Sequence, residues 1–286
     1  MSQDAVDALV KLLDLEPIEV NIFRGVSPDE NRQRVFGGQV AGQALVAAAR
    51  TVAADRSVHS LHAYFLRPGD PTVPILYEVD RIRDGRSFTT RRVVAIQHGR
   101  PIFNLSSSFQ VAETGFEHQA PMPPAPAPES LPTFAERFAD KAEEWGEALN
   151  RARPIDTRYV EDDDVGSVAS APGGGRRLVW IRADGELPDD PLLHACVVTY
   201  ASDMTLLDTT LVPHGTQALE GRVMMASLDH AMWFHRPFRA DEWLLYAQDT
   251  PSASGGRGLG WGGIFTREGK LAVSVVQEGL IRAVRG

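Results

Sequence analysis

Three polar residues in the C-terminal half of the sequence have side chains that could act together on a water molecule. Asp203 falls in the apolar stripe of a predicted helix over 191–208, where an unpaired carboxylate is unfavourable. Gln277 continues the inward-facing row of the last predicted strand, and Ser227 opens an earlier strand. If all three point between helix and sheet, the carboxylate can accept a proton from one water while the hydroxyl and the amide orient it.

Each of these residues also has a structural interpretation. Asp203 could cap its helix or pair within it, and Gln277 could be a buried amide that bonds backbone groups. A single serine such as Ser227 is more often structural than catalytic. Only the combination of the three in one predicted interior favours a water-binding site, and such a site requires no covalent intermediate.

The start of an earlier helix offers a second kind of chemistry. Gly37 and Gly38 open a predicted helix over 36–52 without bulky side chains. An exposed helix N-terminus of this kind could polarise a carbonyl group. The alternative is a plain tight turn.

Histidines and acidic residues give no comparable pattern. His59 and His62 stand close together, and Asp229 precedes His230, but no H-E-x-x-H motif or metal-ligand spacing accompanies them. We therefore predict structural or orienting roles for the histidines, and no metal site.

The overall composition limits the possible partners. The 286 residues carry a net charge of −9, which argues against general nucleic-acid binding because that function needs a basic surface. No transmembrane run or signal peptide is evident, and Cys196 is the single cysteine. These features predict a cytoplasmic protein without disulfides and without membrane association.

A repeated string indicates how the chain is organised. Residues 64–77 and 233–246 align without a gap, and five of the 14 positions are identical. Each copy follows a helical pattern, 36–52 or 191–211, and precedes strand-like runs separated by turn residues. The identical pairs are Phe65/Phe234, Arg67/Arg236, Pro68/Pro237, Leu76/Leu245 and Tyr77/Tyr246.

Each half therefore reads as one helix wrapped by an antiparallel sheet, which is an α+β hotdog arrangement. Two copies in one chain predict a double hotdog, with an N-terminal unit at 1–119 and a C-terminal unit at 176–286. The segment 120–175 between them is predicted to contain a proline-rich linker, a helix over 133–152 and an exposed loop over 161–177. A short amphipathic helix is predicted at the N-terminus.

Several strings resemble those of the acyl-CoA thioesterase II family, among them VHSLHAYFLRPGD, RDGRSF, YASD, DHAMWFHRPF and VQEG. The resemblance extends in family order from about residue 15 to the end and is poorest over about 133–175. It implies a double-hotdog fold and hydrolysis of acyl-CoA thioesters to free CoA and a carboxylic acid. It also implies that no cofactor, no metal and no covalent acyl-enzyme is involved.

The resemblance assigns catalysis to Asp203 and Gln277, and to Ser227 at a position where the family has threonine. Serine keeps the hydroxyl but lacks the methyl group that restricts the threonine rotamer. Arginines should bind the CoA phosphates, and Arg86 and Arg257, on equivalent loops of the two halves, are the candidates. Because Ser107 stands at the first-half position of Gln277, we expect one site per chain. Related proteins associate through hotdog sheets, so a homo-oligomer, dimer or tetramer, is also expected.

Two other functions fit the same scaffold. A hotdog enoyl-CoA hydratase would need an Asp/His pair, for which Asp229 and His230 are the only adjacent candidates, although neighbours on a strand face opposite sides. A non-catalytic acyl-CoA-binding or regulatory protein would be favoured if the aspartate or the glutamine were missing, and both are present.

Overall fold

Two helices of the chain lie side by side, and a single antiparallel sheet packs against them. The computed structural model describes residues 2–28, 33–146, 151–160, 176–214 and 223–283. Within these residues the helices are α1 (Ser2–Leu13), α2 (Gly37–Ala49), α3 (Phe134–Arg137), α4 (Ala142–Trp145) and α5 (Pro191–Ser202). None of these described helices is both long enough and apolar enough to cross a membrane.

Thirteen strands of the described residues form the sheet. In order across it they run β1, β2, β4, β5, β6, β3, β10, β13, β12, β11, β8 and β7, and β9 pairs with β13. The two halves join where β3 pairs with β10, so one continuous sheet serves both helices. The strands are β1 (Glu16–Glu19), β2 (Ile22–Gly25), β3 (Arg56–Phe65), β4 (Ile75–Asp84), β5 (Phe88–Gln97), β6 (Arg100–Val111), β7 (Ile155–Val160), β8 (Arg177–Ala183), β9 (Val223–Ser227), β10 (Asp229–Phe234), β11 (Leu244–Ser254), β12 (Arg257–Thr266) and β13 (Leu271–Ala283).

The repeated tyrosines occupy equivalent places in the two halves. Tyr77 on β4 and Tyr246 on β11 are both fully buried. The Tyr77 hydroxyl donates to Gln43 Oε1 of α2 at 2.7 Å, and the Tyr246 hydroxyl donates to the Ser202 carbonyl of α5 at 3.3 Å. Each tyrosine thus links a strand to the helix of its own half, as expected for two copies of one unit.

Small residues bring the two central helices into close contact. A Cβ atom on Gly38 would overlap the Tyr200 carbonyl oxygen, and one on Gly42 would lie 3.3 Å from the Cys196 carbonyl oxygen. These contacts show that α2 and α5 run antiparallel, because the earlier glycine of α2 meets the later residue of α5. The start of α2 therefore lies beside the end of α5. The small residues of α2 therefore allow a close approach to the backbone of the other helix.

Two predicted helices are shorter than expected. The helix predicted over 191–208 ends at Ser202, and a 3₁₀ segment follows over Leu207–His214. Threonines there bond locally: the Thr210 hydroxyl donates to the Leu207 carbonyl at 2.6 Å, a bond that competes with regular helix. The single helix predicted over 133–152 is also wrong. The chain instead forms α3, a 3₁₀ turn and α4, whose C-cap is Gly146 with φ 53°, and residues 147–150 lie outside the described residues.

The segment between the halves packs on the second half. Leu131 is buried, and the Trp180 indole N–H donates to the Pro126 carbonyl at 2.9 Å. Strand β7 lies inside the segment 120–175 and pairs with β8, so the second-half sheet begins before residue 176. Most of the loop predicted over 161–177 lies outside the described residues.

Candidate active site

The side chains of Asp203, Ser227 and Gln277 meet in one hydrogen-bonded group. The Gln277 amide Nε2 donates to Asp203 Oδ1 at 2.6 Å and to Ser227 Oγ at 3.0 Å. The Ser227 hydroxyl donates to Asp203 Oδ1 at 3.3 Å. The predicted convergence of a carboxylate, a hydroxyl and an amide is therefore present in the structure.

Each of the three residues comes from a different element. Asp203 is the C-cap of α5 rather than an interior residue of the helix. Ser227 ends strand β9 instead of opening a strand, and it pairs with Gly279 on β13. Gln277 lies on the buried row of β13 and is fully buried, as the alternation predicted.

Burial governs the acidity of the central carboxyl group. Asp203 lies partly buried at the end of α5. Loss of solvation raises its pKa to about 6, while hydrogen bonds from Gln277, Ser227 and the Gly38 amide favour the carboxylate and oppose the rise. A carboxylate with this pKa is ionised at neutral pH and is still basic enough to accept a proton.

The start of α2 faces this carboxylate. The Gly38 amide N–H donates to Asp203, and a Cβ atom on Gly37 would lie 2.6 Å from Asp203 Oδ2. The sequence indicated that this helix start could polarise a carbonyl group or form a plain tight turn, and in the structure the Gly38 amide N–H favours the Asp203 carboxylate. Direct contact of Gly37 or Gly38 with a substrate stays a prediction.

A cavity of about 490 Å³ opens beside the group. Asp203, Ser227 and Gly37 line it, whereas Gln277 is not among its lining residues. The other polar lining residues are Arg34, Arg67 and Asp208. Its apolar wall consists of Val35, Phe36, Val40, Phe65, Leu66, Pro68, Ile102, Phe103, Met204, Leu207, Met225, Ala226 and Leu228.

The two arginines proposed from the sequence are not part of this cavity. Arg86 and Arg257 are exposed, and Arg257 Nε donates to Glu278 Oε1 at 2.9 Å. Their contact with a ligand stays a prediction. Sequence reasoning missed Arg34 and Arg67, although Arg67 belongs to the repeated string and could have been noticed there.

The Asp229/His230 pair does not form an acid/base dyad. Asp229 Oδ1 accepts the Glu278 backbone N–H at 2.6 Å, whereas the fully buried His230 places Nε2 2.8 Å from Ser202 Oγ. Burial lowers the pKa of His230 to about 4, so it is neutral at physiological pH. Among the described residues, no group of three or more His, Cys, Asp or Glu side chains could hold a metal ion.

Comparisons with known proteins show which family this chain resembles. Residues 27–110 match the family model for the acyl-CoA thioesterase N-terminal domain, and residues 157–280 match the model for acyl-CoA thioesterase. Acyl-coenzyme A thioesterase 8 of Homo sapiens is 43% identical over 95% of this chain and 88% of its own length.

The chain belongs to the acyl-CoA thioesterase family.

Bacterial relatives of this family extend the match. Acyl-CoA thioesterase 2 of Haemophilus influenzae is 41% identical over 98% of both chains. The crystal structure of an acyl-CoA thioesterase II from Mycobacterium marinum superposes with a TM-score of 0.83 at 48% identity, covering 97% of this chain and 99% of that one. The resemblance found in the sequence and the predicted double-hotdog fold are both confirmed.

Proposed function

We propose that the protein hydrolyses acyl-CoA thioesters to free CoA and a carboxylic acid, and that Asp203, Ser227 and Gln277 hold the attacking water. Membership of the acyl-CoA thioesterase family supports the reaction. The observation that carries the residue assignment is the hydrogen-bonded group of carboxylate, hydroxyl and amide, two members of which line an otherwise largely apolar cavity.

In the proposed reaction, the water donates one proton to Asp203 as its oxygen bonds to the thioester carbon. The carbon–sulfur bond then breaks. A thiol such as that of CoA has a pKa of about 8.5, so the thiolate leaves with little help from a general acid. The proton accepted by Asp203 finally returns to solvent or to the thiolate.

Gln277 fixes the geometry of this group. Its Nε2 holds both Asp203 and Ser227, while its Oε1 is buried and has no hydrogen-bond partner among the described residues. A buried acceptor of this kind is favourable only if something donates to it. A water that donates to Gln277 Oε1 would satisfy this acceptor. Because Gln277 does not line the cavity, its proposed role is to orient the Asp203 and Ser227 side chains, which do.

Thiol release distinguishes this function from its rivals. We expect the wild-type protein to release free thiol from members of a series of acyl-CoAs of increasing chain length, in parallel with free acid. Tight binding of acyl-CoA without release on any chain length would favour the binding-protein alternative. Loss of the enoyl absorbance of an enoyl-CoA without thiol release would favour a hydratase, for which His230 is unsuitably oriented.

The dependence of kcat/KM on pH should show the ionisation of the Asp203 carboxyl group. Because the base must be ionised, and because burial raises its pKa to about 6, kcat/KM should be constant above this pH and fall tenfold per unit below it. An acyl N-acetylcysteamine thioester is the suitable substrate, since it lacks the phosphate groups of CoA, which titrate at about pH 6.

Asp208 provides a control for this assignment. Its negative charge raises the pKa of Asp203. Asp208→Asn should therefore move the acid limb of the profile, where kcat/KM falls with decreasing pH, to lower pH. An acid limb near the ordinary aspartate pKa, or one that does not respond to Asp208→Asn, would contradict the assignment.

The assembly and the location are proposals of the same kind. We propose a homo-oligomer that forms through the outer face of the sheet, where Tyr64 and Trp261 are 58% and 49% exposed. Sedimentation at several concentrations tests it, and a monomer throughout would reject it.

A cytoplasmic location is proposed because Cys196 is the only cysteine and is buried; cell fractionation tests it.

A further inference from the structure

Two arginines lie together on the rim of the cavity. Arg34 precedes Val35, whose backbone N–H donates to the Gly69 carbonyl at 2.9 Å. Gly69 lies two residues after Arg67, so a backbone hydrogen bond joins the two segments that carry these arginines. Both arginines line the same cavity as Asp203.

Both guanidinium groups are anchored but keep donors available. Arg34 Nη2 donates to the Met225 carbonyl at 3.4 Å, and Arg67 Nη1 donates to the Pro101 carbonyl at 2.6 Å. Among the described residues, their side-chain partners are thus carbonyl oxygens and not carboxylates. Asp203 and Asp208 line the same cavity, but within the described residues no hydrogen bond or ion pair joins either carboxyl group to Arg34 or Arg67. The net charge of the whole chain is −9.

The arginine at the equivalent position of the second repeat copy does not keep a free terminal nitrogen. Arg236 is the counterpart of Arg67, and it uses both terminal nitrogens within the protein. Its Nη1 donates to the Leu271 carbonyl at 3.1 Å and its Nη2 to the His118 carbonyl at 3.3 Å. The duplicated arginine is therefore structural in the second half, whereas Arg67 retains Nη2 for a ligand at the cavity beside Asp203.

We infer that Arg34 and Arg67 bind the phosphate groups of the CoA part of the substrate. This inference rests on the proposed function, because a thioester whose carbonyl lies at Asp203 must direct its thiol substituent out across the rim. Guanidinium groups match phosphate oxygens in charge and in fork geometry. A local positive rim also offsets the repulsion between an acidic protein and a polyanionic substrate.

The test compares two thioesters with the same acyl group, an acyl-CoA and the corresponding acyl N-acetylcysteamine, which lacks phosphates. In the Arg34→Ala/Arg67→Ala double variant, we expect KM for the acyl-CoA to rise about tenfold with kcat nearly unchanged. Hydrolysis of the N-acetylcysteamine thioester should stay at the wild-type rate. The rise of KM with salt should also be weaker than in wild type.

Matched variants separate this inference from its alternatives. Arg92→Ala removes an exposed arginine that pairs with Asp80 away from the cavity, and it should behave as wild type. An equal loss on both substrates, or no change on either, would overturn the inference. So would a selective rise of KM in Arg86→Ala/Arg257→Ala that Arg34→Ala/Arg67→Ala does not show.

Binding of free CoA gives a readout that is independent of turnover. Calorimetry should show a dissociation constant about tenfold higher in the Arg34→Ala/Arg67→Ala variant than in Arg92→Ala. Wild type that hydrolyses neither thioester would contradict the proposed function, while this binding difference would still decide the role of the two arginines. Equal affinities in both variants would reject that role.

Discussion

Replacing Asp203 with asparagine should lower kcat for acyl-CoA hydrolysis by about 10³-fold, within the range observed for loss of a general base. Asparagine has nearly the same shape, and its Oδ1 can still accept the bond from Gln277 Nε2. It cannot take a proton from water at neutral pH. KM should therefore change little, and free-thiol release under saturating substrate measures the effect on the chemical step.

Asp208→Asn is the matched control because Asp208 lies on the same cavity but outside the hydrogen-bonded group. Its kcat at pH 8 should stay within about threefold of wild type, since there Asp203 is ionised in either protein. A comparable loss of kcat in the two variants would mean that catalysis needs negative charge in the cavity and not the Asp203 carboxylate specifically. Retention of most activity by Asp203→Asn would remove Asp203 from the role of base.

Local patterns were sufficient to place Gln277 but not Ser227. The alternation along β13 fixes which side of the sheet Gln277 faces, and that pattern is visible in the sequence. Ser227 occupies the last position of β9, just before the chain passes through Leu228 into β10. This break depends on β9 pairing with β13 while β10 pairs with both β13 and β3, which is a tertiary property.

Contacts between the halves were also invisible in the sequence. The apolar stripe correctly marked Asp203 as unusual, but the helix ends at Ser202 and not at 208, so Asp203 is a cap whose carboxylate meets the Gly38 amide of the other half. The rim arginines Arg34 and Arg67 are brought together by a backbone hydrogen bond between distant segments. Neither arrangement has a signature in residue spacing, whereas the duplicated string revealed the double fold directly.

Alanine at Gly38 should reduce the free energy of unfolding by about 2 kcal/mol, because it forces an extra methyl group into a filled interface. The new Cβ would overlap the Tyr200 carbonyl oxygen and lie 2.6 Å from Phe36 Cε1. Alanine is the better helix former, but that gain of about 0.5–1 kcal/mol offsets only part of the strain. Denaturant unfolding of both proteins, compared at equal m-value, measures the difference.

The same substitution should disturb the site, because relief of the overlap requires the start of α2 to move away from α5. Asp203 then loses the Gly38 hydrogen bond that favours its carboxylate, so its pKa rises and the acid limb of kcat/KM shifts to higher pH. Gly115→Ala is the control, since no atom lies within 4 Å of the added Cβ, and it should leave stability and the pH profile unchanged. If Gly38→Ala matched Gly115→Ala in both measurements, the close helix contact would not be what holds Asp203 in its ionised, active form.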